Sequence, residues 1–274
     1  MNPSNGDRVF SGSIAQLYEQ YLVPLIFDPY AQDLTGRLTA LRPSAVLEIA
    51  AGTGVVTRHM ARQLPADVSI VATDLNQPML DHAMSIGTSR PVTWQQADAM
   101  SLPFANGAFD AVVCQFGAMF FPDKSAASAE AWRVLRPGGT FLFNVWDRIE
   151  DNEFAECVTQ AMAGLFPSDP PRFLARLPHG HYDQAMITDA LVGGGFTGPG
   201  VFNTVTARSR ADSPRTVAIA YCQGTPLRNE ILARNDSILA EATDVAEAAL
   251  GKHFGMGQVS GKIQAIVVTA ARSA

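Results

Sequence analysis

Between residues 45 and 146, short apolar, β-branched runs alternate with longer segments of helical period. That alternation restricts the chain to parallel strands joined by crossover helices. The runs Ala45–Ala50, Val68–Thr73, Val92–Gln96, Ala111–Gln115 and Thr140–Val145 read as strands. The unbroken apolar character of AVLEIA implies burial on both faces of the sheet. Helices are expected over Val55–Gln63, over Gln77–Ile86 with Asn76 as N-cap, and over Lys124–Val134 with Asp123 as N-cap and Pro137-Gly138-Gly139 as the stop behind it.

Outside this block the pattern is looser. Ser13–Tyr21 and Ala31–Leu41 read as two N-terminal helices separated by Pro24 and Pro29, and a helix is expected near Asn152–Leu165. A proline-rich loop and a further helix lead into Gly193-Gly194-Gly195. Val201–Ala207 and Ile263–Ala270 add two strands, and Ser213-Pro214 and Thr225-Pro226 each open a helix between them. The expectation is therefore an α/β fold: a doubly wound, seven-stranded, mostly parallel sheet with N-terminal helices and a helical insertion before the last strand. Residues 1–44 form a cap and 45–274 the main domain, within which 150–200 and 211–260 cover the substrate.

The chain of 274 residues is 47% hydrophobic and 17% charged, which supplies a large core and excludes a mainly disordered protein. A formal charge of −6 disfavours nucleic acid and anionic membranes as partners. The N-terminal stretch has no long apolar region, and no run approaches the 18 or so apolar residues that span a bilayer. Cys114, Cys157 and Cys222 are far apart and lack metal-ligand spacing, so they read as reduced thiols. These features place the protein in the cytoplasm, and a monomer or homodimer is expected.

Chemistry concentrates where Val46-Leu47-Glu48-Ile49-Ala50 runs into Ala51-Gly52-Thr53-Gly54 and a helix. Gly52 and Gly54 let the backbone approach a ligand, and free N–H groups at the helix start favour an anionic group. Twenty residues past Gly54, Asp74 ends the second strand, where a carboxylate can accept both hydroxyls of a ribose. By itself such a turn followed by an acid serves equally well as a structural loop. Asp98 closes the third strand and is placed to accept from an exocyclic amine, although Asp74 and Asp98 also suit helix N-caps. Glu48, inside an apolar strand, must be hydrogen-bonded to the loop or to a ligand, because an unpartnered buried carboxylate is costly.

These segments, with Phe109-Asp110 and Arg133-Val134-Leu135-Arg136-Pro137-Gly138-Gly139, resemble in order and spacing the class I S-adenosylmethionine-dependent methyltransferases. Within them the likeness is to the small-molecule type akin to the ubiquinone/menaquinone C-methyltransferases (methyltransferase type 11), close over about residues 45–146 with a looser echo in Phe10-Ser11-Gly12 to Tyr21. The resemblance implies a Rossmann-like methyltransferase fold with S-adenosylmethionine as cofactor. It assigns Glu48 to ordering the glycine loop, Gly52 and Gly54 to the methionine moiety, Asp74 to the ribose, Asp98 with Ala99 to adenine, and Leu75 and Met79 to the adenine face. The family commonly has glycine where this chain has Ala50, so a methyl must fit beside the cofactor.

Gln115 through Phe121 follow the fourth strand, at the end where the reaction would take place. Gln115 stands where a magnesium-dependent catechol-type enzyme needs a carboxylate, so no metal is expected. Phe116, Phe120, His179, His181, Tyr18 and Tyr21 are candidates for the acceptor pocket. Tyr18 and Tyr21 share one helix face, with ordinary core packing as the alternative, and the His-Gly-His turn reads equally as a solvated loop. Ile14, Leu17, Tyr18, Tyr21 and Leu22 form a stripe suited to an apolar lid.

The function expected is methyl transfer to a small apolar or aromatic acceptor at carbon or oxygen, with no assignable catalytic base. A nicotinamide-dependent oxidoreductase is the alternative enzyme, opposed by Thr57 at the third glycine position and by the lack of a Tyr-x-x-x-Lys pair. A non-catalytic S-adenosylmethionine-binding protein is the other alternative.

Overall fold

The computed structural model describes residues 13–273. The Phe10-Ser11-Gly12 segment lies outside them. Helix α1 (Ser13–Leu17) passes into a π-helical stretch, Tyr18–Phe27, and then directly into α2 (Asp28–Leu41). The alternating core follows as β1 (Ala45–Glu48), α3 (Val55–Gln63), β2 (Ser69–Asp74), α4 (Gln77–Ile86), β3 (Thr93–Gln96), β4 (Phe109–Gln115), α5 (Lys124–Val134) and β5 (Leu135–Trp146). The remainder is α6 (Glu153–Leu165), α7 (Phe173–Arg176), α8 (Gln184–Gly193), β6 (Val201–Ala211), α9 (Pro214–Gly224), α10 (Leu227–Arg234), α11 (Leu239–Phe254) and β7 (Val259–Ala271).

The seven strands lie in the order β3-β2-β1-β4-β5-β7-β6. β1 pairs in parallel with β2 on one side and β4 on the other, while β7 runs antiparallel to both β5 and β6. The sheet is thus mostly parallel, as the sequence pattern requires. Its order reverses between β1 and β4, and a crevice at the carboxyl ends there is the usual ligand site of an open α/β sheet. Val46, Leu47, Ala111, Val112, Val113 and Cys114 are all fully buried, which confirms that the central strands are covered on both faces.

Three expectations need correction. Pro24 and Pro29 do not separate two helices. Pro24 sits inside the π-helical stretch, where the wider turn avoids the clash with the carbonyl four residues back, and Asp28 N–H bonds Val23 O five residues back. Pro29 falls in the first turn of α2, where its missing N–H costs nothing. Pro137-Gly138-Gly139 does not stop short of a strand but lies within β5, paired through Gly138 N–H to Arg272 O and Arg272 N–H to Gly139 O. Asn76 occupies the N-cap position of α4 without capping it by its side chain; Asp74 Oδ1 takes the Asn76 N–H instead. Asp123 and Ser213 cap α5 and α9 as read, accepting from Ala126 and Thr216.

Candidate active site

β1 ends at Glu48, and the chain turns through Ala50 and Gly52 with φ of 54° and 57°, both in the left-handed region. Glycine enters this region freely, whereas an L-residue pays roughly 1–2 kcal/mol. Ala50 therefore occupies a position whose backbone favours glycine. Space for its methyl comes from Gly117 across the crevice: a Cβ on Gly117 would lie 2.5 Å from Ala50 Cβ and 2.8 Å from Cys114 Sγ.

The turn is locked from two sides. Asp74 Oδ2 accepts from Gly52 N–H at 2.8 Å, and its Oδ1 accepts from Asn76 N–H at 2.8 Å. Oδ1 also accepts from Asn76 Nδ2 at 3.3 Å, so Oδ2 is the oxygen that keeps a lone pair for a further donor. Burial raises the Asp74 pKa, opposed by these hydrogen bonds. Glu48 is 1% exposed and accepts from Thr57 Oγ1 of α3 at 2.5 Å. Its pKa is pushed up to about 8, first by burial, against the Thr57 hydrogen bond and the nearby Arg58 charge. Arg58 itself bonds Thr53 O at 2.6 Å and Glu19 Oε1 at 2.5 Å, joining the turn to the π-helical stretch above it.

The segment after β3 is held by a second network. Asp98 Oδ1 caps Met100 N–H at 2.9 Å. Glu130 of α5 accepts from Leu102 N–H, and Arg133 donates to Leu102 O and Phe104 O. Arg133, recognised in the sequence as part of a run leading to the fifth strand, thus fixes the loop that carries Asp98 and Ala99.

A solvent-open cavity, with about 1240 Å³ of empty space reaching out into the solvent, spans the carboxyl ends of β1 to β5. Over β1–β3 its wall is Ala50, Gly52, Asp74, Leu75, Met79, Asp98 and Ala99. Over β4 and β5 it is Gln115, Phe116, Gly117, Phe120 and Trp146, roofed by Tyr18, Leu22 and Phe27 and by Phe173, His179 and Tyr221. Two carboxylates line it, and among the described residues no lysine or arginine does.

Of the residues named from sequence, Glu48 and Gly54 stand behind this wall. Glu48 bonds to α3, and the Gly54 α-carbon packs under Trp94 and Ala83, where a Cβ would lie 2.9 Å from the indole. Tyr21 does not line the cavity. His181, expected beside His179, is corrected to a separate small cavity with Lys124, Ser128 and Ile187, because the turn at Gly180 directs successive residues apart. A Cβ on Gly180 would meet Arg176 O at 2.2 Å, so this turn requires glycine.

The sequence reading missed Trp146 and Asn152. Trp146 stacks on Phe116, with centroids 3.8 Å apart and planes 5° apart, and Tyr30 meets both rings edge-on. Buried Asn152 donates to Asp147 O and Arg148 O and to Gln264 O of β7, and accepts from Gln264 N–H. Trp146 closes a recognised strand and could have been found as an aromatic at a strand end; Asn152 carries no sequence signal.

His179 donates Nδ1–H to Asp147 O at 2.8 Å and packs against Trp146, with centroids 5.9 Å apart. Burial holds its pKa down at about 4, although Asp147 and Glu150 act the other way. The imidazole is neutral across the physiological range.

A glycine-bearing turn after the first parallel strand, a carboxylate at the tip of the second and a crevice at the sheet's switch point define a nucleoside-binding α/β enzyme. Residues 47–143 match the family described as a methyltransferase domain. The ubiquinone/menaquinone biosynthesis C-methyltransferase UbiE of Pseudomonas aeruginosa is 30% identical over 201 residues, covering 69% of this chain and 74% of its own length. Among solved structures, YcgJ of Bacillus subtilis aligns with a TM-score of 0.56 at 19% identity, over 90% of this chain and 99% of its own. Phosphoethanolamine N-methyltransferase 2 of Haemonchus contortus, solved with phosphomonomethylethanolamine and S-adenosylhomocysteine, aligns at 0.57 and 17% identity, over 98% of this chain and 60% of its own. The chain belongs to the class I S-adenosylmethionine-dependent methyltransferases. The nicotinamide-dependent alternative falls with that membership.

Among the described residues no group of three or more His, Cys, Asp or Glu side chains is placed to hold a metal ion, and no helix is long and apolar enough to cross a membrane.

Proposed function

We propose that the cavity binds S-adenosylmethionine over β1–β3 and a small, largely apolar acceptor over β4 and β5. The observation that carries this reading is the cavity's charge: two carboxylates, Asp74 and Asp98, line it, and among the described residues no lysine or arginine does. Such a wall suits a cationic ligand and opposes one that brings a diphosphate or phosphate, because a buried unpaired anion has nothing to offset its desolvation. The bound cofactor supplies a methyl group already activated on a sulfonium.

The residues present fit that group. Asp74 Oδ2 keeps a lone pair for one ribose hydroxyl, and Oδ1 takes the second in place of its 3.3 Å contact with the Asn76 side-chain amide. Asp98 and the backbone at Ala99 face the adenine position, with Leu75 and Met79 on its flat side. Gly52, held by Asp74, leaves the turn open for the methionine portion, and Glu48 and Gly54 support the turn from behind. Gln115 stands between the two halves of the cavity: its Nε2 donates to Phe27 O at 3.3 Å, while its Oε1 is buried and without a partner.

The acceptor end is aromatic. Phe116, Phe120, Trp146 and Phe173 offer ring faces and edges, and such walls favour a planar apolar molecule. With the sulfonium already activated, the chain's task is alignment and exclusion of water, and orientation alone contributes several kcal/mol to lowering a barrier. Methylation at carbon is the chemistry named for the P. aeruginosa relative; methylation at oxygen fits the same alignment. The test is label transfer from methyl-labelled S-adenosylmethionine to a panel of apolar hydroxyaromatic and phosphorylated acceptors. Transfer to the former class alone supports the reading, and transfer confined to phosphorylated acceptors contradicts it.

A further inference from the structure

We propose that His179 is a catalytic residue: its Nε2 receives the proton of the acceptor, which belongs to the class of acidic hydroxyls, a phenol or an enol. The proposal rests on the methyl-transfer reading above and adds to it the base and the acceptor's ionisable group.

The tautomer follows from geometry. Asp147 O can only accept, so the 2.8 Å contact requires the proton on Nδ1 and leaves the lone pair on Nε2. Nε2 has no hydrogen-bond partner among the described residues and is not among the buried unpartnered atoms, and the residue lines the cavity, so Nε2 is the ring nitrogen left to meet an acceptor there. The orientation is fixed on every side. Asn152 donates to the same Asp147 carbonyl. Trp146 packs against the ring, and His179 N–H bonds Leu174 O. The α7 segment below is anchored by Glu230, which accepts from Arg172 N–H, Phe173 N–H and Arg176 Nη2.

Among the described residues, no other side chain lining the aromatic end is suited to take a proton. Gln115 and Asn152 are amides. Burial pushes the Tyr18 and Tyr221 phenols up, so they stay protonated. Asp74 and Asp98 lie at the other end and are engaged with backbone N–H groups.

In the step, a bond forms between the acceptor atom and the methyl carbon while the methyl–sulfur bond breaks, its electron pair staying on sulfur. The acceptor's hydroxyl proton passes to Nε2. Where carbon is methylated, that oxygen becomes a carbonyl joined through the ring or directly to the now saturated methylated carbon; for a phenol, the C–H proton of that carbon is then lost to solvent and the oxygen regains one, which restores the aromatic ring. The positive charge that disappears at sulfur reappears on the imidazolium, so the cavity carries the same charge before and after. The imidazolium, disfavoured by burial, then releases its proton to solvent through the open side.

The test has two arms. Imidazole ¹⁵N spectroscopy of the protein loaded with S-adenosylhomocysteine reads the tautomer without any acceptor. A neutral ring protonated at Nδ1 is expected; a proton on Nε2, or a charged ring at neutral pH, overturns the proposal. Single-turnover transfer to para-substituted phenols reads the function. His179→Gln can still donate an amide hydrogen to Asp147 O but takes no proton, so transfer should fall at least 100-fold with S-adenosylhomocysteine affinity within twofold of the parent. His179→Ala should regain rate with added imidazole, as a purely structural role would not. His179→Gln transferring at the parental rate overturns the proposal. A parent enzyme that fails to bind S-adenosylhomocysteine would instead refute the methyl-transfer reading itself.

Discussion

The methyl of Ala50 fills the space that Gly117 leaves vacant, although the two residues lie at the ends of different strands. Ala50 holds a left-handed conformation at φ 54°. Gly117 follows Phe116, which is also left-handed at φ 50°. An alanine where glycine is usual is thus matched by a glycine opposite, and the crevice keeps its width.

Ala50→Gly should relieve backbone strain and raise stability by about 1 kcal/mol or leave it unchanged, since the added chain entropy offsets part of the gain. Gly117→Ala should cost roughly 1–3 kcal/mol through overpacking. In the double variant the part of that cost due to Ala50 should disappear while the approach to Cys114 Sγ remains, which a denaturant-unfolding cycle would show as coupling; additive effects would mean the two positions do not share this space.

Asp74→Ala removes a charged acceptor whose hydrogen bonds are each worth roughly 1.5–3 kcal/mol. Affinity for S-adenosylhomocysteine should fall at least tenfold. Asp74→Asn, which can still hold Gly52 N–H through its amide oxygen, should lose less. Unchanged binding in both variants would remove Asp74 from the ribose site.

Glu48 imposes a pH dependence on stability. Its folded pKa of about 8 lies above the ordinary value near 4.5, so the folded state binds the extra proton between them. The stabilising contribution is complete below about pH 4.5 and is lost as pH rises toward 8. Glu48→Gln keeps an acceptor for Thr57 and carries no titrating proton, so its melting temperature should decline less than the parent's from pH 5 to 8. Parallel declines would show that Glu48 ionises normally.

The span from α1 through Phe27 is tied to the cofactor turn by the Glu19–Arg58 ion pair, and Tyr18 stacks on Phe27 at 4.9 Å over the cavity. Amide hydrogen exchange over residues 13–27 should slow when S-adenosylhomocysteine binds. Arg58→Ala should speed exchange there without ligand and reduce the protection the ligand confers. Equal exchange with and without ligand in the parent would make this segment ordinary core.

What could be read from the sequence was whatever local chemistry dictates. α3, α4 and α5 match the expected helices because an apolar strand, a turn and an amphipathic run leave one solution, and Asp74 ends β2 as read, whereas Asp98, expected to close the third strand, lies two residues beyond the end of β3 at Gln96. Pro24 misled because a π-helical turn absorbs a proline only when tertiary packing selects that turn. α11 begins at Leu239 without a side-chain cap, so no start signal marks it. The pairing of Ala50 with Gly117, the Asp147 carbonyl beneath His179 and the separation of His179 from His181 are contacts across the fold, and residue type and spacing carry no trace of them.

Calorimetric titration of the protein with S-adenosylhomocysteine, beside an identical titration with NAD, tests the central claim that this acidic, aromatic-walled cavity is a methyltransferase site. Binding of S-adenosylhomocysteine in the low micromolar range or tighter, about −8 kcal/mol, with no heat from NAD is the predicted result. Binding of NAD with none of S-adenosylhomocysteine would contradict it.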